Sequence, residues 1–259
     1  MVKTDHEIVL LKQSALLVSK VLAEVAEMIR PGVTTYELDA RAEEFIRDNG
    51  GKPGFMGYKG YPNTLCTSVN SQIVHGVPSK ETVLKDGDII SVDCGVELNG
   101  YFGDSAYTFE VGEVKESTKR LLRITKECLF LGIGRAIARY RIGDIAYTIQ
   151  QHAERNGYSV VRELVGHGIG TQMHEKPEVP NHGRQGSGSR LQKNMVICIE
   201  PMINMGKRKV VEERDGWTVR TRDNLPSAHF ELTVVIGEQR AEVLSTFDLI
   251  EEKLNNKNI

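Results

Sequence analysis

The feature that most constrains this chain is that it repeats itself. Residues 28–51 read MIRPGVTTYELDARAEEFIRDNGG, and residues 139–158 read RYRIGDIAYTIQQHAERNGY. At an offset of 111, Arg30 meets Arg141, Gly32 meets Gly143, and Tyr36 meets Tyr147. Leu38, Ala42 and Glu43 then meet Ile149, Ala153 and Glu154. Each copy closes on Asn-Gly, at 49–50 and 156–157, which predicts a second helix shorter than the first. Each copy also follows a stretch with apolar spacing near 3.6, the mark of a helix facing a core. The first covers 5–29, through Ile8, Leu11, Ala15, Val18 and Val21. The second covers 118–138, through Leu121, Ile124, Cys128 and Leu131, and is weakened at Gly132 and Arg135. Each half therefore runs helix, Gly turn, helix, Asn-Gly stop, then a β-rich portion. The expectation is a single α+β domain over residues 1–259, with an internal pseudo-repeat roughly over 5–115 and 118–245.

A chain of 259 residues can bury a sizeable core. Its net charge of −2 gives no electrostatic pull toward nucleic acid or anionic membrane, although Lys207, Arg208 and Lys209 form a local basic patch. No apolar run approaches the roughly 18–20 residues that a bilayer span requires. The start, MVKTDHEIVLLKQS, carries acids and lacks the apolar stretch of a signal peptide. Cys66, Cys94, Cys128 and Cys198 form no C-x-x-C pair. They read as reduced thiols in a cytoplasmic protein, not as a disulfide scaffold or a zinc ribbon.

Four acids stand where acids are costly. KDGDIISVDCG (85–95) and QKNMVICIEPM (192–202) each end an apolar strand on a carboxylate, Asp93 and Glu200. A second acid opens another β-like run in each half: Asp104 in GDSAYTFEV and Glu231 in FELTVVI. Asn99-Gly100 signals a two-residue hairpin, so residues summing to 199 face one another and Asp93 lies opposite Ala106. Asp104 is then the diagonal neighbour of Asp93, at ~7–8 Å between Cα atoms. Four ionised carboxylates brought together repel by ~4 kcal/mol for each pair at ~4 Å and an effective dielectric near 20. Two divalent cations balance that charge. His167, between Gly166 and Gly168 in GHGIG, can add an imidazole, its glycine neighbours removing Cβ bulk and admitting unusual backbone angles. Oxygen-rich ligands with one imidazole suit Mn²⁺, Fe²⁺ or Co²⁺, and two such ions activate water for hydrolysis.

VHGVP (74–78), SVDCG (91–95), GYFGDSA (100–106), GHGIG (166–170), MHEKP (173–177), CIEPM (198–202) and HFELTV (229–234) together resemble the motifs of the type I methionine aminopeptidases, in order and over nearly the whole chain. The resemblance implies the pita-bread fold, two related αβ halves around a curved, mainly antiparallel sheet with metals in the central cleft. It implies two divalent ions, Co²⁺, Mn²⁺ or Fe²⁺ with Zn²⁺ or Ni²⁺ as further options. Asp93 would ligate one ion, Asp104 and Glu231 both, and His167 and Glu200 the other. A hydroxide between the ions would attack the peptide carbonyl, with Glu200 as proton carrier. His174 would hydrogen-bond the scissile amide, and His75 would lie near the leaving group. Tyr58, Tyr61 and Cys66 match the wall of the methionine pocket, and Trp217, following a hairpin turn at Asp215-Gly216, is assigned to the same wall.

Val74, Met173 and Phe55 depart from the common pattern and are expected to line that pocket. His6 and His152 read as helix-surface residues; His182 and His229 match no ligand position. The short form, without the N-terminal extension of longer type I members or the helical insertion of type II, is expected. The substrates implied are N-terminal Met peptides and nascent chains with a small second residue. Transient ribosome association, a monomer, no specific nucleic acid and no membrane are expected with them. The rivals are an X-Pro aminopeptidase or dipeptidase using the same five ligands, and a peptide-binding module that has lost its metal.

Overall fold

A computed structural model describes residues 2–257. Residues 1, 258 and 259 of the single domain expected above lie outside the described residues. The first half contributes α1 (Asp5–Met28), α2 (Thr35–Asp48), β1 (Lys52–Pro53), β2 (Leu65–Val69), β3 (Gln72–Val74), β4 (Ile89–Leu98) and β5 (Tyr101–Glu110). The second opens with α3 (Glu116–Ile133), α4 (Ile142–Arg155), β6 (Ser159–Val160), β7 (Val165–Gly168) and β8 (Glu175–Pro180). It continues through β9 (Val196–Ile199), β10 (Met202–Asn204), β11 (Val210–Glu212), β12 (Val219–Thr221), β13 (Ser227–His229), β14 (Glu231–Val235), β15 (Glu242–Val243) and α5 (Asp248–Lys257). None of the described helices is long and apolar enough to cross a membrane.

The helix pairs fall where the apolar spacing puts them, with two differences. The second long helix stops at Ile133 and not near 138, because the stripe breaks at Gly132 and the chain turns at Gly134. The two short helices are equal, 14 residues each, and the chain positions that bound them stand 107 apart and not 111. Capping explains the shift. The Thr34 hydroxyl accepts from Glu37 N while the Glu37 carboxylate accepts from Thr34 N, and Asp144 accepts from Arg141 N in the same way. Those caps, with Asn49 and Asn156 at the far ends, set the helices. Gly32 and Gly143 are not equivalent: the first sits in a turn at φ +93°, the second inside the first turn of α4.

The main sheet has nine strands in the order β1-β4-β5-β14-β9-β7-β8, with β2 added on β4 and β15 on β14. Its pairings are antiparallel. Two smaller sheets run β13-β10-β6 and β11-β12-β3. Period-two alternation gives the large sheet two different faces. Ile90, Val92, Cys94 and Val96 of β4, Tyr107 and Phe109 of β5, Ile197 and Ile199 of β9, and Leu232 and Val234 of β14 all join the main core beneath the helices. Asp93, Asp104, Cys198 and Glu231 have the opposite parity. The helices therefore cover one face, and the acids stand on the other.

Candidate metal centre

The Asn99-Gly100 turn has φ of 54° and 79°, and the hairpin it closes carries the predicted register, with Asp93 opposite Ala106. Ala106 is in turn opposite Glu231 on β14. One row across three strands thus reads Asp93, Ala106, Glu231, with Asp104 diagonal to both acids. The strand-end placement holds only for the second half: Glu200 follows the last residue of β9 and Glu231 opens β14. Asp93 and Asp104 lie inside two ten-residue strands, because the hairpin continues beyond them to its turn.

His167 enters from β7, which pairs with β9. Its Nδ1 donates to the carbonyl of Gly168 at 2.9 Å, which leaves the Nε2 lone pair free. Nε2 lies 3.6 Å from Asp104 Oδ2 and 3.7 Å from Glu200 Oε1. The flanking glycines act through bulk alone, since neither has a positive φ. A Cβ on Gly166 would sit 2.4 Å from the Cys198 carbonyl oxygen, and one on Gly168 would sit 2.3 Å from that of Lys176. Gly166→Ala is accordingly expected to cost about 1–3 kcal/mol of stability, measurable by urea unfolding; an unchanged midpoint would contradict the tight approach of β7 to β9.

All five predicted ligands line one cavity of about 290 Å³, with His75, His174, Tyr58, Tyr61, Cys66 and Trp217. Ligand atoms of Asp104, His167, Glu231 and Cys198 lie within 4.8 Å of one another. Cys198 was not foreseen. Its signal was available: it precedes Glu200 by two residues and so shares that strand face. Burial and the nearby Glu231 and Asp104 push its thiol well above the ordinary range, and its Sγ lies 3.4 Å from Thr233 Oγ1. It therefore stays a neutral thiol beside the acids.

The electrostatics are those of carboxylates crowded together out of water. Asp104 and Glu231 are 3% and 2% exposed. Asp93 Oδ1, Asp104 Oδ1 and Glu231 Oε1 are buried without a hydrogen-bond partner. Burial first, and mutual repulsion second, push Asp104, Glu200 and Glu231 well above the carboxylate range. Burial raises Asp93 to about 7. His167 is pushed down to about 4 by burial, so its imidazole is neutral at pH 7. Orphaned carboxylate oxygens and a neutral imidazole are ligands for hard or borderline divalent cations, and the residues fit such ions.

Further histidines and a set of aromatic side chains line the rest of the cavity. His174 stacks on Tyr58, at 5.1 Å and 21°, and lies tilted against His167, at 4.1 Å and 42°. Partial burial, then His167, Lys59 and His75, push its imidazole down, an effect tempered by the solvent that reaches the ring from the cavity. His75 sits in the left-handed region at φ 59°, uncommon for a residue with a Cβ and typical of strain kept at functional positions. Tyr61 packs edge-on against Trp217 at 5.1 Å, and its hydroxyl lies 2.9 and 3.1 Å from the carbonyls of Leu65 and Gly76. The turn before Trp217 is longer than two residues: Glu213 N donates to Thr218 O, and Asp215 caps the amides of Trp217 and Thr218. Phe55 and Val74 line the cavity as expected. Met173 does not. It is 1% exposed and packs against Gly54 and Gly95, behind the wall. His6 is exposed and His152 pairs with Glu127 at 2.7 Å, whereas His229 is buried beside Glu200.

A family model described as metallopeptidase family M24 matches residues 9–238. A methionine aminopeptidase of Clostridium perfringens is 50% identical over 94% of this chain and 97% of its own length. One of Clostridium acetobutylicum is 47% identical over 94% and 98%. The crystal structure of a methionine aminopeptidase from Thermotoga maritima superposes with a TM-score of 0.93 at 42% identity, covering 95% of this chain and 99% of that one. An Xaa-Pro dipeptidase from Bacillus anthracis shares the fold at a TM-score of 0.76 and 24% identity, but this chain covers 62% of it. The arrangement of helices and sheet is the pita-bread fold.

Proposed function

The chain belongs to metallopeptidase family M24 and, within it, to the methionine aminopeptidases, and from that premise we propose that it removes the initiator methionine from nascent proteins and peptides whose second residue is small. The observation that carries the site assignment is the convergence of Asp93, Asp104, Glu200, Glu231 and the His167 Nε2 on one cavity, with three carboxylate oxygens left unpartnered. These five residues would hold two divalent ions, Asp104 and Glu231 standing at the centre of the set. Bound there, the ions would supply Lewis acidity that lowers the pKa of a water molecule and polarises a peptide carbonyl.

The chain's own groups do the rest. Glu200 takes a proton from the attacking water and passes it to the amine that leaves as the C–N bond breaks. His174 donates a hydrogen bond to the carbonyl oxygen as negative charge develops there. His75 faces the leaving side. Tyr58, Tyr61, Cys66 and Trp217 form a narrow slot in which a thioether makes sulfur–aromatic contacts, and which larger or polar first residues do not fit. We read the chain as one catalytic domain of two related halves, a cytoplasmic monomer that meets its substrates near the ribosome.

The test is cleavage of Met-Ala-Ser and Ala-Pro peptides by Mn²⁺-loaded protein, with and without chelator. Chelator-sensitive release of methionine from Met-Ala-Ser is expected. Cleavage of the proline peptide alone would favour an X-Pro peptidase, and no metal-dependent cleavage of either would favour a binding module.

A further inference from the structure

His229 has no part in the chemistry above, yet it is the least satisfied side chain of the cavity. It ends β13, and its backbone is locked there: its N–H donates to Thr108 Oγ1 at 3.0 Å and its carbonyl accepts from the same hydroxyl at 2.7 Å. Pairing of β13 with β10 sets it opposite Met202, two residues beyond Glu200. The residue is 1% exposed and lines the cavity, and neither Nδ1 nor Nε2 has a hydrogen-bond partner. Buried polar atoms normally find partners, and a ring with both nitrogens orphaned needs an explanation.

The nearest charged group supplies one. His229 Nε2 lies 3.8 Å from Glu200 Oε2, while Glu200 Oε1 lies 3.7 Å from His167 Nε2. The two oxygens of one carboxylate are divided between two histidines. His167 is oriented as an acceptor by its bond to Gly168 and cannot donate to Glu200 through Nε2. His229 has no such constraint on either nitrogen.

The geometry points to His229 as a positioning residue for Glu200, a role that rests on the metal reading of the site. Its Nε2–H donates to Oε2, closing the present gap as the carboxylate turns toward a bound ion, so that Oε1 is presented to the metal beside His167. Outer groups that orient a ligating side chain in this way typically change metal affinity 10- to 100-fold when removed.

The test compares wild type with His229→Leu, His229→Asn and His229→Gln, using calorimetric titration with Mn²⁺ and steady-state turnover of Met-Ala-Ser. Gln carries an amide N–H at about the reach of Nε2, whereas the Asn amide stops short of Oε2 but keeps the pocket polar if the Leu variant does not fold. Leu and Asn are expected to weaken Mn²⁺ binding by about 10- to 100-fold and to lower kcat, with KM within about 2-fold, and Gln to restore most of both. Wild-type affinity and kcat in the folded Leu or Asn variant overturn the inference. So does a Gln variant as weak as Asn, or an effect confined to KM and dependent on the second residue, which would make His229 a wall. A wild-type protein that binds no Mn²⁺ overturns the metal reading itself; binding by wild type with no loss in the variants overturns the inference alone.

Discussion

Replacing His174 with alanine is expected to lower kcat by about 10²- to 10³-fold while the protein keeps its full complement of Mn²⁺, since one preorganised donor to a developing oxyanion is worth that much. The division between chemistry and metal binding follows from position. His174 lines the same cavity as the acids, and its ring is held by stacking on Tyr58 and by the tilted ring of His167. Its depressed pKa keeps the imidazole neutral at pH 7, with one N–H to donate. Metal stoichiometry by elemental analysis, alongside turnover, checks the assignment. Loss of bound metal in His174→Ala would place the residue among the ligands and end its role as a donor to substrate.

Glu231→Gln is expected to have the larger effect on the metal, weakening Mn²⁺ binding by more than the roughly 10- to 100-fold typical of residues behind the ligands. The same variant tests the crowding of charge directly. In metal-free protein Asp93 titrates at about 7 in the folded state, against ~3.9 when unfolded. Between those values the folded chain retains a proton that the unfolded chain has released, so stability from this group is complete below about pH 4 and lost as pH rises through 7. Asp104, Glu200 and Glu231 are raised too and act in the same direction. The Tm of metal-free wild type should therefore fall from pH 5 to pH 8, and Mn²⁺ should restore it most at the higher pH, where the ligands are already deprotonated. With one acid neutralised, Glu231→Gln should show a shallower fall. Equal slopes in metal-free wild type and variant would mean that the carboxylates do not repel one another, and the case for paired cations would lose its physical basis.

Much of this protein was decided by local rules that a sequence displays. Apolar spacing near 3.6 located α1 and α3, and Asn99-Gly100 set the hairpin register that put Asp93 opposite Ala106, because a two-residue turn leaves one pairing for the strands it joins. The same register put Asp104 diagonal to Asp93 on one sheet face. What that register could not supply was the neighbour across β5 and β14, strands separated by 120 residues and more, whose pairing of Ala106 with Glu231 joins the acids of the two halves. Nor could it show that Cys198 and His229 stand inside the cavity while Met173 packs behind it, since side chains of the same parity reach different depths according to what the opposing strand leaves open. Contacts within a hairpin or a helix turn follow from the covalent order of the chain; contacts between distant strands exist only once both faces of the sheet are packed, and that is where the tertiary structure alone decides.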